Sequence, residues 1–228
     1  MTREVLELLL EAWREKRPVV LATDHASGAQ QLLGGDPAGA APSLAAAARD
    51  ALARDSCVTH EEAGRAIFLQ PFNPPLRMII VGAVHIAQPL ASMAALAAYD
   101  VAIVDPRAAF ATATRFPGVT LTTEWPDQAL RTLAPDARTA VVTLTHDPKL
   151  DDPALRVALR SPTFYVGALG SKKTHAARVA RLREDGFTEA EIARIHAPVG
   201  LDIEARSPAE IAISILAEIT QLLRGGSR

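Results

Sequence analysis

The chain has 228 residues, of which 49% are apolar, and its formal net charge is −2 at pH 7. This length allows one large buried core or two smaller ones, while the charge offers no basic surplus for binding nucleic acid. No apolar run reaches the roughly 18 residues needed to cross a bilayer, so no membrane association is expected.

Residues 1–71 are predicted to form a small α+β domain. Apolar residues at helical spacing predict that it opens with an amphipathic helix; they are Val5, Leu8, Leu9, Ala12 and Trp13. Residues 18–22 predict a strand, whereas the Gly-, Ala- and Pro-rich stretch 27–42 sustains neither periodicity and predicts a mobile loop. The other predicted elements are a helix at 43–54 and a strand at 67–70.

Residues 76–225 are predicted to form a doubly wound, Rossmann-like α/β domain, entered through a connector stiffened by Pro71, Pro74 and Pro75. Short apolar, mostly β-branched runs predict buried parallel strands, at residues 78–81, 101–104, 119–121, 140–144 and 164–166. Helical segments separate most of them, at residues 89–98, 126–133 and 153–159. This alternation predicts right-handed βαβ units around a parallel sheet covered on both faces.

The last helix has clear boundaries in the sequence. Ser207 and Glu210 form a capping box around Pro208, and Gly225 marks the end. The helix carries a long apolar stripe: Ile211, Ile215, Leu216, Ile219, Leu222 and Leu223. Because this stripe exceeds what one sheet face must bury, the sequence predicts a homodimer.

The first strand of this domain leads into the layout of a dinucleotide-binding turn. Gly82 permits a tight turn before a helix whose free amides can face an anion, and Asp105 closes the next strand. Val84 replaces the glycine that normally lets a pyrophosphate approach, which disfavours NAD(P). Asp105 could bind a ribose hydroxyl or cap the turn at Pro106. Arg107 could meet a phosphate or remain a solvated charge.

A second polar cluster follows the fourth strand, which is the neighbour of the first strand in a doubly wound sheet. His146 and Asp147 are therefore expected to face the Gly82 turn, with His85 converging on the same crevice. Such groups could bind a ligand, shuttle protons or coordinate a metal. The alternative is that His146 and Asp147 only hydrogen-bond loop backbone. No dedicated metal site is expected, because no metal-motif spacing is present.

A third element follows the fifth strand. Gly167, Gly170, Ser171 and Lys172 precede or open a helix, and this arrangement favours an anion cradle at the helix N-terminus. Its glycine spacing is not that of a Walker A loop. The alternative is an ordinary turn with a solvated basic helix start.

The amino-acid sequences and the order of four segments resemble those of the XdhC/CoxI family of accessory proteins, over about residues 66–224. The segments are residues 72–82, 143–153, 167–175 and 196–203. The resemblance implies a protein that binds molybdenum cofactor (molybdopterin), which carries a phosphate or a dinucleotide, and supports its sulfuration. It further implies insertion into an apoenzyme of the xanthine or carbon monoxide dehydrogenase class, a molybdenum hydroxylase, with a cysteine desulfurase as a further candidate partner.

The resemblance implies a maturation factor rather than an enzyme, and no catalytic residue is assigned. Together with the motifs, it gives these candidate ligand-binding residues: Gly82, His85, Asp105, His146, Asp147, Gly167, Gly170, Ser171 and Lys172. Two other functions remain open at this point. One is an NAD(P)-dependent oxidoreductase, and the other is a ligand-free interaction module.

The N-terminal part departs from longer members of the family, whose Gly-Gly-Cys segment it lacks. Cys57 is the one cysteine, and it could be a reactive thiol or incidental. A single cysteine cannot form an internal disulfide and fits a reducing compartment. Residues 1–17 lack the zones of a signal peptide, so we expect no targeting segment and a cytoplasmic location.

Overall fold

A computed structural model describes residues 1–34, 41–62 and 64–225. The chain divides into two compact units, Met1–Pro74 and Pro75–Gly226. Within the described ranges, no helix is both long enough and apolar enough to cross a membrane.

In its described residues, unit 1 consists of an antiparallel four-stranded sheet, in the order β2-β1-β4-β3, and two helices. Its elements are α1 (Arg3–Arg14), β1 (Val19–Asp24), β2 (Gln30–Gly34), α2 (Pro42–Arg54), β3 (Val58–Glu62) and β4 (Arg65–Phe72). Both predicted helices and both predicted strands are confirmed. The core of the unit forms where small alanines of α2 pack against the sheet, as at Ala48 and Ala51, which are fully buried beside Val20 and Leu69.

Two predictions for unit 1 were wrong in part, and one strand was missed. Residues 30–34, expected in a loop, form β2, because pairing with β1 and burial of Leu33 outweigh the weak local pattern. The rest of that predicted loop includes residues 35–40, which lie outside the described residues. Strand β3 was not predicted, since its polar residues give no apolar alternation. Pro71 belongs to β4, where it lies opposite Val20, and not to the connector.

Unit 2 is a parallel six-stranded sheet in the order β10-β9-β8-β5-β6-β7. Its strands are β5 (Leu76–Val81), β6 (Tyr99–Val104), β7 (Thr120–Thr122), β8 (Thr139–Thr143), β9 (Tyr165–Ala168) and β10 (Ile195–His196). Strands β5 and β8, the first and fourth of the unit, are neighbours at the centre, where the order reverses. The doubly wound α/β prediction, with a smaller α+β part before it, is confirmed.

Helices cover both faces of this sheet: α3 (Ala87–Leu96), α4 (Pro126–Leu133), α5 (Pro148–Arg160), α6 (Lys172–Glu184), α7 (Glu189–Ile192) and α8 (Pro208–Leu223). Alternate residues of β5 enter two separate cores. Met78 and Ile80 pack on the side of α3 and α8, and Ile79 and Val81 on the side of α4 to α7. Each such fully buried side chain contributes about 1.5–3 kcal/mol, so β5 anchors the unit.

The helix boundaries follow their capping residues. The capping boxes of α7 and α8 are both present, as predicted. Helix α5 begins at Pro148, five residues before the predicted start, because the Asp147 side chain caps it and Pro148 occupies its first turn. Pro153 therefore lies inside the helix. Of the apolar stripe on α8, only Leu222 is exposed, and the homodimer remains a prediction.

Candidate functional site

Three loops leave the carboxyl edge of the unit 2 sheet side by side. The β5–α3 turn (82–86), the β8–α5 loop (144–147) and the β9–α6 loop (169–171) follow three neighbouring strands. In register, Val81 lies opposite both Val104 and Thr143, so β5, β6 and β8 end at the same level. This edge, at the point where the strand order reverses, is where open α/β sheets bind ligands.

Gly82 lets the β5–α3 turn touch the β8–α5 loop. Its φ is +108°, and its amide donates to the carbonyl of Val104 at 2.8 Å. A Cβ at this position would stand 2.6 Å from Thr145 Cγ2 and 3.3 Å from Thr145 N. A side chain here would be strained and would clash, so the expected meeting of these two loops requires glycine.

Asp105, directly after β6, braces the β5–α3 turn through hydrogen bonds. Its fully buried carboxylate accepts hydrogen bonds from the amides of Ala83 (2.8 Å) and Arg107 (2.9 Å). The Arg107 guanidinium adds two more, one to each oxygen. Burial raises the pKa of Asp105, but these donors outweigh it and the net pKa lies below the ordinary value. Of the two alternatives for Asp105, the structure shows the turn cap. Arg107 is its ion-pair partner, although 42% of the Arg107 side chain is exposed.

The N-terminus of α3 presents free amide groups. In the part of the chain that the structure describes, the amides of Val84, His85 and Ile86 donate to no protein acceptor, and Ile86 supplies no side-chain cap. Such amides attract an anion. The Val84 side chain was expected to stand in the way of phosphates. It is half-buried and packs partly against the core on the α3 and α8 side. The rest of the side chain lines the cavity beside the turn.

A cavity of about 470 Å³ opens beside this turn. Its main lining side chains are Val84, His85, Gln88, Arg107, Phe110 and Arg115. The Arg107 guanidinium carbon lies 4.7 Å from the centre of the Phe110 ring, and Arg115 donates to the carbonyls of Ala83 and Phe110 at 2.8 Å each. The volume falls in the range of small-molecule sites. The sequence did not predict Gln88, Phe110 or Arg115, which lie outside its recognised motifs.

The β8–α5 loop exposes an imidazole. His146 has a φ of +61°, and its side chain is exposed and makes no hydrogen bond within the described ranges. Asp147, by contrast, accepts from the amide of Lys149 at 2.9 Å and donates its own amide to Thr145 Oγ1 at 3.1 Å. The backbone alternative therefore holds for Asp147 and not for His146. His85 is also exposed, and no ring contact joins it to His146 among those residues.

The β9–α6 loop forms the predicted helix start. Ser171 caps α6 by accepting from the amide of Thr174 at 3.2 Å. Gly170, at φ +141°, lies close to Thr174, since a Cβ there would stand 3.1 Å from Thr174 Cβ. Lys172 and Lys173 are exposed on the first turn. The amides and charges at this helix end can attract an anion.

Gly167 is accounted for by packing. It lies within β9, and a Cβ there would stand 2.7 Å from Tyr165 Cε1 and 2.6 Å from Val199 Cγ2. Glu218 holds the loop between β10 and α8. Its carboxylate accepts hydrogen bonds from Tyr165 Oη and, at 2.9 Å, from the amide of Gly200 in that loop. His196 Nδ1 lies 3.0 Å from the same carboxylate. This network fixes the loop before α8.

A buried ion pair, Asp151 and Arg178, lies at the ends of β8 and β9. The ladder between these strands ends where the amide of Leu169 donates to the carbonyl of Thr143 at 2.9 Å. Beyond it, the Thr145 hydroxyl and amide donate to Asp151 Oδ1, and Arg178 Nη2 donates to the Leu169 carbonyl. Burial raises the pKa of Asp151 and lowers that of Arg178. The pair thus binds the backbone groups of Thr145 and Leu169, with which the β8–α5 and β9–α6 loops would otherwise continue the ladder.

No group of three or more metal-binding side chains occurs among the residues that the structure describes. The geometry instead assembles hydrogen-bond donors: free amides at two helix N-termini, exposed imidazoles and lysines. An arrangement of this kind can bind an anionic, polar small molecule at the sheet edge.

Residues 78–219 match the family model described as the XdhC Rossmann domain. The chain is 36% identical over 151 residues, 66% of its length, to the molybdenum cofactor insertion chaperone PaoD of Escherichia coli strain K12. It is 34% identical over 156 residues, 68% of its length, to a probable xanthine dehydrogenase subunit of Bacillus subtilis strain 168. It covers 41% and 45% of these two proteins, so it spans less than half of each.

The fold of the whole chain also occurs in a solved structure. A xanthine dehydrogenase crystal structure from Bacillus halodurans aligns with 99% of this chain and 66% of its own, at a TM-score of 0.69 and 23% identity. This likeness concerns the fold. The uncharacterized protein YqeB of Escherichia coli strain K12 is 29% identical over 96% of this chain and 36% of its own length.

Proposed function

The chain belongs to the XdhC family, and on that premise we propose that it binds molybdenum cofactor and supports its delivery to a molybdenum enzyme. Support comes from the name of the PaoD chaperone, which is 36% identical to this chain over the aligned part. It comes also from the donor-rich edge of the sheet, which lies in the unit that matches the family.

The chemistry of the edge suits this cargo. A phosphate can accept from the free amides of α3 or α6, and the polar edge of a pterin can exchange hydrogen bonds with imidazoles. We assign direct contacts to the exposed candidates His85, His146, Ser171 and Lys172. The other candidates shape the site: Gly82, Asp105, Asp147, Gly167 and Gly170.

His146 is the observation that carries the proposal. A non-glycine residue in the left-handed region costs about 1–3 kcal/mol, and here the strained residue displays an imidazole without a protein partner in the described structure. A histidine with a purely structural role would be expected to engage its ring with the protein. Strain held at an exposed polar group points to a ligand contact.

The finer proposal concerns what happens to the bound cofactor. It is held while a terminal sulfur is installed and is then passed to a molybdenum hydroxylase apoenzyme, with a cysteine desulfurase as the partner that delivers sulfur. This sequence of events takes place in the cytoplasm.

The test is co-purification from a host that makes molybdenum cofactor, followed by acid release and fluorescence detection of the oxidised pterin. We expect pterin with the wild-type chain, a large loss with His146→Ala, and no change with His25→Ala, an exposed histidine of unit 1. Pterin absent from the wild type would overturn the proposal. Equal pterin in wild type and His146→Ala would move the site away from this edge.

A further inference from the structure

The cavity beside the β5–α3 turn has the charge of an anion site. Among the described residues, Arg115 donates to neutral acceptors alone, the carbonyls of Ala83 and Phe110 and, at 3.3 Å, the Gln88 side chain. Over residues 1–34, 41–62 and 64–225 it has no carboxylate partner, whereas Arg107 is paired with Asp105. One positive charge therefore stands unneutralised in the wall, near the free amides of α3.

The same cavity offers a surface for a flat ring. Phe110 is a large aromatic residue that leaves 45% of its surface exposed, and the Arg107 guanidinium lies over it. Phenyl and guanidinium faces are the surfaces on which nucleobases stack without strong preference for one base. The lining therefore provides stacking and positive charge together.

The cavity lacks the usual clamp for a ribose. In ordinary NAD sites, the carboxylate that closes the second strand accepts from the ribose hydroxyls. Here both oxygens of Asp105 already accept hydrogen bonds from Ala83 and Arg107. A ligand bound in this cavity is therefore recognised through its base and its phosphate.

We propose that this cavity binds the nucleotide portion of the cargo, so that the cofactor form preferred by this chain is the dinucleotide. The inference rests on the proposed function and extends it across the turn. The pterin end lies toward the β8–α5 and β9–α6 loops, and the nucleotide end lies toward Phe110 and Arg115. The β5–α3 turn, with its free amides, runs between the two ends.

The first test uses CMP, GMP, inorganic phosphate and NAD⁺ as probes in calorimetric titrations of the full chain. We expect both mononucleotides to bind more tightly than phosphate or NAD⁺, and Phe110→Ala to weaken them at least about tenfold through lost stacking. Trp125→Ala removes another half-exposed aromatic residue outside the cavity lining, and its affinities should stay within about twofold of the wild type.

The second test measures nucleotide released from the co-purified cofactor by mild hydrolysis. One nucleotide per pterin supports the proposal, and pterin without nucleotide overturns it while leaving the proposed function intact. Mononucleotide affinity that Phe110→Ala leaves unchanged also overturns it, as does tighter binding of NAD⁺. Mononucleotide binding that depends on Phe110, in a chain that never carries pterin, would retain the nucleotide site and reject cofactor delivery.

Discussion

Asp151 Oδ2 and Arg178 Nη2 lie 3.8 Å apart, almost completely buried, between the carboxyl ends of β8 and β9. Asp151 accepts the hydrogen bond of the Thr145 amide, and Arg178 donates to the carbonyl of Leu169. These two backbone groups are therefore not used to continue the β8–β9 ladder. The pairing of the two strands therefore ends at the edge where the candidate site lies. The geometry of the site thus depends on two residues that no ligand needs to touch.

The contributions of Asp151 and Arg178 to the free energy of unfolding should be strongly coupled. Asp151→Asn keeps an acceptor for Thr145 but leaves the buried Arg178 guanidinium short of its counter-charge, and we expect a loss of about 3–5 kcal/mol. Asp151→Asn combined with Arg178→Met should lose much less than the two single changes added together. Urea unfolding of the four proteins gives the coupling energy, and additive losses would contradict a coupled pair.

The brace at Asp105 predicts a pH dependence of stability. Because its pKa is lower in the folded chain, its stabilisation is fully present above the unfolded value of about 3.9 and is lost as the pH falls through the folded value. Asp105→Asn should cost about 1–3 kcal/mol at pH 7. The difference from the wild type should shrink below about pH 4. A difference that is constant from pH 7 to pH 3 would argue against an ionised brace.

Gly82→Ala should destabilise unit 2 through a specific contact. The positive φ costs about 1–2 kcal/mol, and the clash with the Thr145 methyl group adds about 1–3 kcal/mol. Thr145→Ser removes that methyl group and keeps the hydroxyl, so it should recover part of the loss. Gly118→Ala is the matched control, since Gly118 has a φ of +71° and open space around its Cβ position. Thermal unfolding should show the larger shift for Gly82→Ala.

Glu218, whose side chain is 18% exposed, should contribute to stability through its hydrogen bonds. Its carboxylate serves three donors, from Tyr165, His196 and Gly200, and a glutamine carbonyl oxygen cannot accept all of them. We expect Glu218→Gln to cost about 1–3 kcal/mol and Tyr165→Phe about 1 kcal/mol. Chemical unfolding measures both, and a Glu218→Gln chain as stable as the wild type would show that the network contributes little.

Local signals in the sequence predicted most of unit 2. The run at 78–81 and the capping box of Ser207 and Glu210 depend on neighbours a few residues away, and both are confirmed. Strands β2 and β3 were not predicted, because they form by pairing with β1 and β4, respectively, and not from a local apolar pattern. The predicted start of α5 at Pro153 was wrong, because the helix begins after its cap at Asp147.

The site was predictable only where topology fixes it. The contact of Gly82 with Thr145 follows from the neighbouring first and fourth strands, which the pattern of strands and helices implied. The bond from the Arg107 amide to Asp105 matches the turn cap at Pro106, which the sequence offered as one alternative. The bond from the amide of Ala83, 22 residues earlier, depends instead on tertiary geometry, so the role of Asp105 in holding the β5–α3 turn could not be read from the sequence. Phe110 and Arg115 lie in a segment without periodicity or a known motif, and only the fold shows that they share a cavity.

The brace at Asp105 also has a kinetic consequence. Because the Asp105 carboxylate holds the β5–α3 turn in shape, the turn is preorganised, and binding a ligand there costs little conformational entropy for ordering the chain. Association then needs no slow loop closure, and departure needs no local unfolding. Exchange at such a turn is governed by the contacts of the ligand itself, which suits a protein whose task would be to receive a molecule and release it again.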